Sequence, residues 1–164
     1  MGCVTTLRSD NNPNGIEQRG TTLHPQWEVL TPPHQPSDTC KAVAFVRKQL
    51  MQSITIKTQP DHPLSNLNSL VFDVVEDEQI LLQIINVYHK CPKSGHNLQY
   101  LFNHNLNELV PTLIMGNFNT HTVHWSLSGH ASSAWADDFT DWLDINNLSI
   151  CNPPGEAMWK SLNK

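Results

Sequence analysis

The block PTLIMGNFNTHTVHW, residues 111–125, concentrates side chains that could do chemistry. An apolar run ends at Gly116, and polar residues follow at once. Side chains alternate across an extended chain, so Asn117 and Asn119 point the same way. Gly116 leaves room for close backbone approach. Polar groups converging at a strand's end are a frequent form of active site. An amide pair bonding its own loop backbone gives the same pattern. Tyr88 closes another apolar run, ILLQIINVY. Its phenol, read alone, fits a core aromatic with a satisfied hydroxyl or a side chain at an exposed strand end.

Other groupings read less specifically. His121, His124 and His130 suggest zinc, yet no spaced thiol or carboxylate completes a ligand set, and loop histidines explain them as well. Asp137, Asp138, Asp141 and Asp144 fit the solvated face of a helix better than a metal cluster. Trp135 and Trp142 fit its core face rather than a base-stacking platform. Met1-Gly2-Cys3 fits a myristoylation pattern with an adjacent palmitoylation site, although the pattern is short. Asn147-Leu148-Ser149 matches a glycosylation acceptor, and no signal peptide provides a route to it. Cys3, Cys40, Cys91 and Cys151 form no CxxC pair, so free thiols in a reducing, intracellular compartment are expected.

The elements that must position these residues follow from periodicity. Residues 1–23 form a loose segment dominated by turn formers, and one domain is expected over 24–164. Trp27–Leu30, Ala42–Arg47 and Ser53–Thr58 read as strands. Residues 31–39 carry three prolines and form a loop. Leu70–Val75 and Ile80–Tyr88 form a hairpin around Glu76-Asp77-Glu78. The second of these strands is apolar on both faces and so central. Leu98, Leu101, Phe102, Leu106, Leu109 and Val110 fall at helical spacing up to Pro111. A strand over Thr112–Met115 and a helix from about Ala134 to Asn146 follow, with Ser133 as N-cap. Leu148–Cys151 reads as a last short strand. Consecutive hairpins followed by alternation predict an α/β fold, a two-sheet β-sandwich flanked by helices.

Composition excludes several classes. The chain has 164 residues, 38% apolar and 15% charged, with mean hydropathy −0.38. No apolar run is long enough to cross a bilayer as a helix. The net charge is −5 and the pI about 5.9, whereas a protein that grips duplex DNA by bulk electrostatics is usually basic. Contact with nucleic acid would have to be local or metal-bridged.

Three blocks together resemble one family. Ile84-Ile85-Asn86-Val87-Tyr88, then Ile114 through His121 with Trp125, then Trp142-Leu143 through Asn147-Leu148 and Asn152-Pro153-Pro154-Gly155-Glu156 are similar to the endonuclease/exonuclease/phosphatase domain. The version in LINE-type (non-LTR) retrotransposon polyproteins is the nearest. The order and spacing match over roughly residues 24–160. The resemblance implies a Mg²⁺-dependent phosphodiesterase that nicks DNA, nuclear where retroelement function is kept. By position it assigns Tyr88 to support of the phosphate or a water, Asn119 to a phosphate contact, and Asn117 to the place of the catalytic aspartate. It assigns no Mg²⁺ ligand in this chain.

The departures carry their own expectation. The family reads Gly-Asp-Phe-Asn, and this chain reads Gly116-Asn117-Phe118-Asn119. A carboxamide cannot take a proton from water at ordinary pH. The family's Gln-Glu motif has no counterpart in residues 1–26, and its closing Ser-Asp-His segment would lie beyond Lys164. The expected fold is therefore incomplete at both ends, as in a truncated or decayed copy or a fragmentary gene product. Its activity is expected to be impaired or lost. A non-enzymatic remnant acting as a binding or interaction module is the alternative.

Overall fold

Strand formation begins where β-branched and aromatic residues alternate with polar ones. In the computed structural model, residues 25–33, 40–89, 98–120 and 135–151 are described. Six strands and two α-helices occur among them: β1 Trp27–Leu30, β2 Ala44–Arg47, β3 Thr55–Thr58, β4 Ser69–Glu76, β5 Gln79–Tyr88, α1 Gln99–Phe102, β6 Thr112–Asn117 and α2 Ala136–Ile145. Contacts divide the chain into two compact units, residues 1–89 with 107–118, and residues 90–106 with 119–164.

The first unit holds both sheets. β1 and β2 form an antiparallel pair. The other sheet has the order β3-β4-β5-β6, antiparallel except for the parallel β5–β6 pair. Ala42, Leu70 and Phe72 are buried together, and Leu30, Ala44, Ile56, Ile84 and Tyr88 pack against them. Leu30 and Ala44 come from the small sheet, so this cluster is the layer between the two sheets. The expected two-sheet α/β architecture is the one observed. Val71, Val75, Ile85 and Val87, on the other face of the large sheet, are buried too. β5 therefore reads as apolar on both faces because it is central, as its composition implies.

The β4–β5 turn is tighter than its composition suggests. Asp77 and Glu78 have φ of 47° and 64°, the left-handed geometry of a two-residue hairpin turn. The register shifts between Val74 and Val75, which leaves Leu81 as the extra residue of a bulge. The Ile80 and Leu81 side chains are accordingly exposed.

Two expectations outside the sheets are corrected. The helical spacing from Leu98 to Val110 yields one turn of helix, Gln99–Phe102. Asparagines end it. Asn103 caps the turn, and the Asn107 side chain accepts the amide of Leu109, which is 90% exposed. Short amides compete with the helix for the backbone. Leu148–Cys151 is not a strand, and Ile150 is exposed. α2 matches its expected face: Phe139 and Trp142 are buried, and all four aspartates are exposed. Trp142 donates to the His104 carbonyl (2.8 Å), while Phe102 and Phe139 lie 6.1 Å apart. Asn147 (φ 52°) closes the helix: its amide reaches Asp144 O, and the Leu148 amide reaches Leu143 O. That pair of bonds is a Schellman motif. Ser133, the three histidines of the zinc reading, Gly2, Cys3 and the NPPGE block lie outside the described residues. Among the described residues no helix is long and apolar enough to cross a membrane.

Candidate active site

β5 and β6 run parallel and end together, and their register places Tyr88 beside Asn117. Register partners in a sheet share a face. Gly116 makes the approach possible. Its φ is 134°, and a Cβ there would stand 1.9 Å from the Val87 carbonyl oxygen. No side-chain adjustment relieves a clash with backbone, so only glycine fits. The first residue beyond the constriction, Asn117, is exposed. Tyr88 is half-buried and rests on the Ala42–Leu70–Phe72 core. Its amide donates to Asn68 O (2.7 Å), which ties the end of β5 to the tight turn before β4.

Two buried polar residues hold this strand end, and the sequence reading passed over both. The Asn86 side chain (2% exposed) donates to Val43 O at 3.0 Å and so fastens the entry of β2 to the large sheet. It shares a face with Tyr88, two positions on. The His89 amide donates to Asn117 O (2.7 Å), and its Nδ1 lies 2.6 Å from Phe118 O. The ring is buried. Strand alternation was the available signal: residues 85, 87 and 89 fall on one face, and the first two are plainly core residues.

In the second unit, Asn119 is exposed with φ 46°. Asparagine tolerates this region better than most residues. Thr120 is buried, and its hydroxyl accepts the Trp135 indole N–H at 2.8 Å. Of the three expected site residues, the sheet brings Tyr88 and Asn117 together, and Asn119 follows Asn117 by two positions along the chain.

Magnesium prefers hard oxygen donors and commonly takes one or two carboxylates. The Tyr88–Asn117 pair supplies a phenol and a carboxamide. No group of three or more His, Cys, Asp or Glu suited to a metal occurs among the described residues. The donor set at this strand end does not fit Mg²⁺. The aspartates of α2 do not alter that, since they lie along one solvated helix face.

The comparisons bear on the family and the fold. A family model described as endonuclease-reverse transcriptase matches residues 82–164, half of the chain, and takes in most of β5 together with α1, β6 and α2. The chain belongs to that family. Among solved structures it is similar to the endonuclease domain of TRAS1, a telomere-specific non-LTR retrotransposon. The TM-score is 0.65 at 14% identity, covering 84% of this chain and 60% of that one. The fold is thus that of a retrotransposon endonuclease domain, of which this chain spans less than two thirds. No curated protein matches the sequence.

Proposed function

We propose that the chain is a retroelement-derived endonuclease domain, beginning near residue 24, whose substrate class is the DNA phosphodiester and whose hydrolytic step is impaired. The observation that carries this reading is Asn117, at the end of β6 beside Tyr88, in the position of the family's aspartate. In-line attack on a phosphodiester needs an activated water and donors for the charge that develops on the phosphate. The Tyr88 hydroxyl and the Asn119 amide supply donors. Asn117 can orient a water or donate to a phosphate oxygen, but it cannot take a proton. In another hydrolase an Asp→Asn exchange that kept its geometry cost about 10⁴ in rate, and a loss of that order is expected here. The lost carboxylate also weakens the site for the divalent cation the family implies. Retained retroelement function on DNA would require the protein in the nucleus.

Nicking of supercoiled plasmid by the purified chain, with and without Mg²⁺, tests the proposal. Little or no metal-dependent nicking is expected. Efficient nicking that needs Mg²⁺ and disappears in Asn119→Ala would overturn the impaired state. Metal-independent DNA binding without cleavage would instead favour a binding module.

A further inference from the structure

The loop that leaves β6 lies between two unusual backbone conformations. Gly116 has φ 134° and Asn119 has φ 46°. Residues held in sparsely populated conformations persist only where their surroundings over-determine them. One residue binds both carbonyls between those positions. His89 reaches Asn117 O with its amide at 2.7 Å and Phe118 O with its ring Nδ1 at 2.6 Å.

We infer that His89 is a positioning residue: its buried imidazole, protonated at Nδ1, fixes the Asn117–Phe118 end of β6 and so aims Asn117. This rests on the reading that Asn117 stands at the site. A carbonyl oxygen only accepts, so the nitrogen 2.6 Å from it must carry the proton. The identity of the nearest atom therefore sets the tautomer. Any residue at 89 could offer its amide to Asn117 O. Only a side chain with a planar donor one bond beyond Cγ can also reach Phe118 O. Holding both carbonyls fixes the two peptide planes that follow the Asn117 Cα, and so the backbone from which that side chain leaves. The ring is 1% exposed, so water does not compete freely for the same carbonyl.

Nitrogen-15 NMR of the intact chain reads the ring directly, with His89→Asn used to assign its signals. The Nδ1–H tautomer is expected, and the Nε2–H tautomer would overturn the inference. Amide exchange gives a second reading. In His89→Leu the residue-89 amide is expected to exchange about tenfold faster, as when one modest hydrogen bond supporting a local structure is lost. In His89→Asn, whose Nδ2 replaces the ring donor, exchange is expected to stay near the parent rate. Equal behaviour of the two variants would contradict a role for the donor, and if His89→Leu fails to fold, the tautomer decides alone. A third reading uses the Asn117→Asp background: there His89→Leu should lower kcat with little change in KM, and His89→Asn should restore it. If Asn117→Asp is itself inactive, the two spectroscopic readings judge His89.

Discussion

Asn117 and an aspartate differ in shape by almost nothing, so the fold accepts either, and the proposed loss of activity rests on charge alone. The side chain is exposed at a strand end, so the exchange falls outside the buried core. Asn117→Asp is therefore expected to change thermal stability little, within about 0.5 kcal/mol, the usual range for surface substitutions. Calorimetry of the two proteins checks this. Gly116 is the opposite case. A Cβ would strike the Val87 carbonyl, and the φ of 134° is strained for any other residue. Gly116→Ala should cost about 2–4 kcal/mol, measured by urea unfolding, from strain and overpacking together. The glycine and the two asparagines were legible in the sequence because their types are unusual at a strand's end. For His89, strand alternation could show only that the ring turns inward; its bond reaches a residue 29 positions away.

At the scale of elements, the strands were readable and one helix was not. Short β-branched and apolar runs, alternating in β3 and apolar on both faces in β5, gave β1 to β5 to within two residues. The Leu98–Val110 spacing is equally regular, yet three asparagines at every second position divert the backbone into turns. The Asn146 side chain shows how the segment is held instead. It accepts the Leu106 amide (2.7 Å) and donates to Trp142 O (2.8 Å). Asn146→Ala removes both bonds and should destabilise by about 1–3 kcal/mol, seen as a lower urea midpoint. The β4–β5 turn offers the reverse. Glu78 sits at φ 64°, where a Cβ is disfavoured by about 1–2 kcal/mol. Glu78→Gly should stabilise the chain by about 1 kcal/mol after the glycine's greater unfolded-state freedom is set against the relief. A raised Tm would bear that out, and a lowered one would mean Glu78 makes a compensating contact.

For the whole molecule, the order of the sheets was beyond what local sequence carries. The parallel partner of β5 is β6, which arrives more than twenty residues later, and periodicity cannot say which edge a strand joins. The three motif blocks implied the two-sheet architecture through resemblance, and the observed fold agrees with that much. Charge acts at the same scale. With a net charge of −5, DNA binding can draw on few phosphate contacts. The logarithm of affinity should therefore fall with the logarithm of salt at a slope of about −2 or shallower, since the slope counts neutralised phosphates. A steep slope would reveal a basic surface that the composition hides.

The claim on which these expectations converge is that an uncharged group at the end of β6 deprives the site of its cation. Mn²⁺ titration followed by amide NMR tests it most directly, because a bound paramagnetic ion broadens only nearby signals. In the parent chain, Tyr88, His89 and Gly116 should show no selective broadening, while in Asn117→Asp the same three should broaden first. Selective broadening of those amides in the parent chain, unchanged by the substitution, would contradict the account.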